Sequence, residues 1–231
     1  MPDPLRGTVI FDLDGTLVDS APDLADALDS LLAEMGHEPL GLDRVRRLIG
    51  HGMAELVRKG LDARGAQPEP QVQAQAVQRF VKLYTAHLSR KSKPYPGALE
   101  VLNALRLAGW RLVVCTNKLE ASARLLLQDL GLLSAFALVA GPDTFGAAKP
   151  DPAHLLGCLP HRDPASRPAV MIGDSEVDVT AAKAAGLPVI AVTWGYAQKS
   201  LSAMAPDMVA HNMRDIPGQV ERLIGHSQAI S

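Results

Sequence analysis

The sequence predicts an α/β protein: a doubly wound parallel sheet with a smaller all-helical domain inserted after the first strand. Two patterns carry this. From Ala98 onward, short unbroken apolar runs alternate with helical segments that close on glycine, the mark of a parallel sheet covered on both faces. Between Ser20 and Ser92, apolar residues recur only at helical spacing, with no strand pattern among them.

The elements follow in order. Thr8-Val9-Ile10-Phe11 is a β-branched and aromatic run that stops at Asp12 and reads as a buried strand. Ser20-Ala21-Pro22 starts a helix, with Ser20 as N-cap and proline in the first turn. Leu24, Leu28, Leu31, Leu32 and Met35 form its apolar face, and Gly36 ends it. Further helices are expected over 42–49, over 53–64 and after Pro70 to Leu88. Lys91 to Gly97 is a stiff, proline-containing connector. A helix over 98–108 and a strand over 112–115 come next, then a helix over 120–130 and a strand over 138–140. A helix after Pro152, a strand over 170–172, a helix over 177–185 and a fifth strand over 189–192 complete the pattern. Right-handed crossovers give an open sheet that places ligands at the carboxyl ends of its strands.

Composition narrows the function. The 231 residues are 47% hydrophobic and 21% charged, enough to bury a sizeable core. Lys plus Arg is 23 and Asp plus Glu is 25, a net charge of −2 that disfavours a broad polyanion-binding surface. Aromatics at 4% disfavour base-stacking platforms, so no nucleic-acid partner is expected. No apolar run approaches the roughly 18 residues that cross a bilayer. Met1-Pro2-Asp3-Pro4 lacks a signal-peptide pattern, and Cys115 and Cys158 read as buried free thiols, both pointing to the cytoplasm.

The polar residues at strand ends carry the chemistry. Asp12 and Asp14 follow the first strand, Thr116-Asn117-Lys118 the second, Lys149 the loop after the third, and Asp174 and Asp178 the fourth. A parallel sheet brings all of them to one edge. Carboxylates a few Å apart repel by about 4 kcal/mol at an intermediate dielectric, so such a cluster calls for a cation. The donors on offer are hard oxygens, which select Mg²⁺. Lys149 adds a positive charge for an anionic substrate group, and Gly15 and Thr16 offer close backbone approach and a hydroxyl. A phosphate ester fits this inventory better than a neutral ligand.

The block Phe11-Asp12-Leu13-Asp14-Gly15-Thr16-Leu17-Val18-Asp19-Ser20 resembles the first motif of the haloacid dehalogenase superfamily of phosphotransferases. Thr116, Lys149 in Ala148-Lys149-Pro150, and Gly173-Asp174-Ser175-Glu176-Val177-Asp178 match the second, third and fourth motifs in order. The resemblance covers nearly the whole chain. It implies a Rossmann-like catalytic core at 1–18 and 94–231 and a helical cap domain at 19–93. It also implies roles. Asp12 would be the nucleophile that forms an aspartyl-phosphate, and Asp14 the acid and base. Asp12 and Asp174 would hold Mg²⁺ through side chains, and Asp14 through its main-chain carbonyl. Thr116 and Lys149 would hold the phosphoryl oxygens, with Asp178 and Asn117 behind them. Positioning and charge neutralisation supply most of the effect in such transfers.

Within the superfamily, Thr16 to Leu24, Ile49-Gly50-His51-Gly52, Thr116-Asn117-Lys118 and Thr193-Trp194-Gly195-Tyr196 resemble the bacterial phosphoglycolate phosphatase branch. That implies hydrolysis of 2-phosphoglycolate, a small phosphorylated metabolite, by a monomer or homodimer. Arg47, His51 and Gly52 are then the candidates for substrate contact, because mobile lids carry specificity. Sugar and amino-sugar phosphatases, a β-phosphoglucomutase-type phosphomutase and, from another class, a phospho-accepting receiver-like module are the alternatives. Asp19 and Ser20 are assigned to cap and hinge, Arg44, Arg46, Arg58 and Lys59 to solvated faces. His154, His161, His211 and His226 are assigned to the surface, and Trp110 and Trp194 to packing, the latter near the edge of the site.

Overall fold

The computed structural model describes residues 6–160, 168–197 and 200–227; the N-terminal Met1 to Pro4 stretch and His161 lie outside them. Strand β1 (Gly7–Phe11) is followed by the short β2 (Val18–Asp19). Four helices then run in succession: α1 (Ala21–Glu34), α2 (Leu42–Arg46), α3 (Met53–Asp62) and α4 (Pro70–Ala86). The chain returns through β3 (Lys93–Pro94) to α5 (Ala98–Leu107), β4 (Trp110–Cys115), α6 (Glu120–Asp129) and β5 (Leu138–Ala140). Beyond lie α7 (Pro142–Phe145), α8 (Pro152–Gly157), β6 (Ala169–Gly173), α9 (Glu176–Ala184) and β7 (Val189–Val192). The described part ends with α10 (Leu201–Met204), β8 (Met208–Ala210) and α11 (Ile216–Ser227).

Six strands form one parallel sheet in the order β5-β4-β1-β6-β7-β8. The doubly wound α/β architecture expected from the pattern is the one observed, with one strand more than the sequence reading supplied. Strand β8 escaped because Met208-Val209-Ala210 is too short to show a period; its pairing to β7, Ile190 with Met208, makes it a strand. The connector at 93–94 is likewise not free chain. Val18 pairs with Pro94 and Asp19 with Lys93, antiparallel, so the entry to and exit from the helical insertion form one ribbon. Asp23 on α1 secures the same return: its buried carboxylate accepts from the Lys91 and Ser92 amides at 3.0 and 2.8 Å.

The sheet register sets the site. Phe11 on β1 pairs with Val114 on β4 and Ile172 on β6, so Asp12, Thr116 and Asp174 emerge together at the carboxyl edge. Apolar packing is continuous from sheet to insertion. Leu24, Leu28 and Leu31 of α1, Leu56 of α3 and Phe80 of α4 belong to the same buried cluster as Val9, Phe11 and Leu102. A second cluster, with Ile10, Val113 and Met171, fills the opposite face. No helix among the described residues is long and apolar enough to cross a membrane.

Of the side chains assigned to solvent, one is buried and one is half-exposed but paired. His154 on α8 is fully buried and meets the Phe145 ring edge-on at 6.4 Å between centroids. Arg46 on α2 reaches Asp19 at 3.0 Å and lies over the Tyr196 ring at 5.8 Å. These contacts join residues apart in sequence, so local pattern could not reveal them.

Candidate active site

Asp12 begins where β1 ends, and its amide donates to the Ile172 carbonyl at 2.9 Å, extending the sheet by one bond. Lys149 lies in the loop between α7 and α8, and the Lys149–Pro150 bond is cis. Its ammonium, almost fully buried, bridges Asp12 Oδ1 at 2.7 Å and Asp178 Oδ1 at 2.6 Å. Asp178 has a second task. Its Oδ2 accepts from the amide and the hydroxyl of Ser175 at 3.0 and 2.6 Å, closing a capping box at the start of α9. One carboxylate therefore fixes both the helix and the lysine.

Asp174 is buried as well. Its Oδ1 accepts from the Thr16 hydroxyl at 3.1 Å and its Oδ2 from the Tyr196 amide at 2.6 Å. Gly15 permits this approach: its φ is +87°, and a Cβ there would lie 2.5 Å from Asp174 Oδ2. Trp194 donates to the Thr16 carbonyl at 3.1 Å, so the 194–196 loop does reach the edge of the site.

The donor set fits a hard divalent cation. Asp12, Asp174 and Asp178 each bring a carboxylate oxygen within 4.8 Å of the other two. Three carboxylates against the single Lys149 ammonium leave a formal −2. Burial pushes the Asp12 carboxyl up to about 7 despite the pull of Lys149, and Asp178 adds to the rise. Asp174 is raised well above the usual range, by burial first and the Asp12 charge second. Burial alone would lower the Lys149 ammonium, but Asp12 and Asp178 outweigh it and hold it raised. Carboxylates driven toward protonation are those a cation would relieve.

Asp14 stands apart from this cluster. Its carboxylate accepts from Lys118 Nζ at 2.9 and 2.8 Å and from the Ser20 hydroxyl at 2.5 Å. Ser20 precedes α1 but makes no side-chain cap bond, because its hydroxyl is committed to Asp14. The carboxylate that joins Asp12 and Asp174 is thus Asp178.

Asn117 clamps the lysine loop: its side-chain amide donates to the Lys149 carbonyl and its oxygen accepts from the Lys149 amide, both at 2.9 Å. Thr116 is buried beside it and accepts from the Lys118 amide at 3.2 Å.

A narrow cavity of about 30 Å³ opens onto these groups, room for about two waters. Asp12 and Asp14 line it, as do Thr116, Asn117 and Lys118. The helical insertion covers it with Leu24, Ile49, Met53, Leu56 and the Gly50–Gly52 turn. Of the three clustered acids, Asp12 is the one that reaches this space. Gly52 lines it too. Exposed Arg47 faces a separate depression with Asp43 and Tyr196, and exposed His51 borders neighbouring ones. Lys118, by contrast, was placed at this edge by the sequence but given no role there, and the structure brings it into the cavity.

The model of the haloacid dehalogenase-like hydrolase family matches residues 9–192. This chain belongs to that family. Among relatives of this haloacid dehalogenase-like hydrolase, a phosphoglycolate phosphatase from Caulobacter vibrioides is 41% identical over 210 residues, covering 91% of this chain and 89% of its own. One from Rhodospirillum rubrum is 42% identical over 200 residues, covering 85% and 83%. A crystal structure from Haemophilus somnus 129PT, described as a predicted phosphoglycolate phosphatase, superposes with a TM-score of 0.83 at 28% identity, over 94% of this chain and 99% of that one. By this kinship the hydrolase is a phosphatase, a phosphoric monoester hydrolase.

Proposed function

We propose that this phosphatase hydrolyses 2-phosphoglycolate to glycolate and phosphate through an aspartyl-phosphate on Asp12, with Mg²⁺ as cofactor. The observation that carries the reading is the buried Lys149 ammonium bridging Asp12 and Asp178 at 2.7 and 2.6 Å, with Asp12 facing the cavity. Kinship to phosphoglycolate phosphatases supports the substrate.

An oxygen of Asp12 attacks phosphorus in line with the ester oxygen. The Oδ–P bond forms as the P–O ester bond breaks, and Asp14 gives its proton to the departing glycolate oxygen. Asp14 then takes a proton from water, whose oxygen attacks the same phosphorus and displaces Asp12. A carboxylate nucleophile divides one difficult displacement into two. Lys149 and Thr116 hold the transferring oxygens, and Asn117 fixes the loop that carries Lys149. Asp12 and Asp174, with Asp178 in reach, would hold Mg²⁺, which neutralises charge on the phosphoryl group when bound.

Residues 19–93 act in this reading as a cap on the core formed by 1–18 and 94–231, hinged at the β2–β3 ribbon. Opening admits the ester and closure excludes bulk water. The test is phosphate release from a panel of phosphorylated metabolites at fixed Mg²⁺, alongside mass spectrometry of acid-quenched enzyme. 2-Phosphoglycolate ranks first in kcat/KM, and the Asp12 peptide gains the mass of one phosphoryl group. Failure to release phosphate from 2-phosphoglycolate while other esters turn over overturns the substrate. A phosphorylated residue other than Asp12 overturns the mechanism.

A further inference from the structure

The phosphoglycolate reading leaves one charge without a partner. The leaving group carries a carboxylate, and burying it beneath the insertion is costly unless a cation or donor meets it. The insertion residues that line the cavity bring no cation: they are Leu24, Ile49, Gly50, Gly52, Met53 and Leu56. Lys149 is already committed to Asp12, Asp178 and the phosphoryl group.

The ammonium that lines this cavity is that of Lys118, which is 3% exposed. It lies 2.8 Å from Asp14 Oδ2, beside the group that serves the ester oxygen. In 2-phosphoglycolate the carboxyl carbon is two bonds from that oxygen, so a carboxylate leaving past Asp14 meets Lys118. A second observation points the same way. Lys118 Nζ lies over the Tyr84 ring of α4, 4.7 Å from its centroid. The Tyr84 hydroxyl is buried beside the same ammonium yet makes no hydrogen bond of regular geometry. Buried hydroxyls are rarely left unpaired without a reason.

We propose that Lys118 and the Tyr84 hydroxyl form the receptor for the carboxylate of the leaving group and so set the preference for a small phosphorylated acid. In the substrate-free protein Asp14 occupies Lys118, and the incoming carboxylate shares or takes its place. Tyr84 belongs to the insertion and Lys118 to the core, so an anion held by both couples substrate choice to closure. The inference rests on the phosphoglycolate reading.

The test compares 2-phosphoglycolate with ethyl phosphate, which has a methyl group where the carboxylate stands. kcat/KM is measured for both on the wild type, Lys118→Met and Tyr84→Phe with Mg²⁺. The wild type prefers 2-phosphoglycolate. That preference shrinks roughly 30-fold in Lys118→Met and roughly 10-fold in Tyr84→Phe, the latter chiefly through KM. Tyr84→Phe removes a hydroxyl whose neighbour in the free protein is the Lys118 ammonium, without a hydrogen bond of regular geometry, so its Tm without substrate changes little; it decides the matter if Lys118→Met does not fold. Equal losses on both esters would mean that Lys118 merely positions Asp14, and the receptor is overturned. A wild-type preference that both variants leave intact overturns this inference alone. A wild type with no preference overturns the phosphoglycolate reading and this inference with it.

Discussion

The main-chain amide of Tyr196 donates to Asp174 Oδ2 at 2.6 Å, so the loop after β7 holds one acid of the candidate metal cluster. The phenol of the same residue donates to Asp19 Oδ1 at 2.7 Å and accepts from the Ala21 amide at 3.0 Å. Arg46 completes the link by pairing with Asp19 and covering the Tyr196 ring. One tyrosine thus ties the acid cluster to the first residues of the helical insertion. Tyr196→Phe keeps the ring and removes both side-chain bonds. Its expected cost is about 1–2 kcal/mol, a Tm drop of roughly 2–8 °C by calorimetry. An unchanged Tm would show that the phenol contributes nothing to the junction.

Asp12→Asn preserves size and removes the anion proposed to attack phosphorus. kcat on 2-phosphoglycolate should fall by at least ~10⁴-fold. Burial of the Asp12 charge opposes folding, so the metal-free variant at pH 8 should unfold at or above the temperature of the parent. Parental turnover, or a large loss of stability, contradicts the roles assigned here.

The raised carboxyls predict how stability follows pH. Asp12 is held up to about 7 and Asp174 well above its usual range, whereas an unfolded chain releases these protons near pH 4. Between those limits the folded protein binds more protons than the unfolded one, so its metal-free stability falls as pH rises. A cation that binds the ionised carboxylates cancels the loss. Melting in EDTA and in Mg²⁺ at pH 5, 6, 7 and 8 should show a Tm gap that widens with pH. A constant gap sinks this account of the cluster.

Lys149→Met leaves Asp12 and Asp178 buried without their shared cation. Removing one partner of such a pair destabilises by roughly 3–5 kcal/mol, readable by urea unfolding. Mg²⁺ should restore part of the loss in stability but not the activity, since the hold proposed for Lys149 on the phosphoryl oxygens is gone. A variant as stable as the parent would mean that the Lys149 bridge is not what balances the acids.

Much of this was legible in the amino-acid order. The strands ending at Phe11, Cys115 and Gly173 are short β-branched runs broken by polar residues, and that signal is local. Strand ends of a parallel sheet share one edge, so Asp12, Thr116, Lys149 and Asp174 could be grouped without coordinates. What stayed hidden depends on pairs distant along the chain. Val18–Asp19 finds Lys93–Pro94 across the whole insertion, and β8 is a strand through its partner β7. His154 is buried against Phe145, and Arg46 stays half-exposed but is held by Asp19 and Tyr196.

Lysine marks the boundary most clearly. Lys149 was legible from Ala148-Lys149-Pro150, whereas nothing in the neighbours of Lys118 says which acid it meets. Periodicity and breakers specify where the chain is extended, helical or turned, because those are interactions between near neighbours. Which cation is enclosed, and against which acid, follows from the packing of α4 and the sheet edge around it, where desolvation and pairing act between residues the chain order leaves far apart.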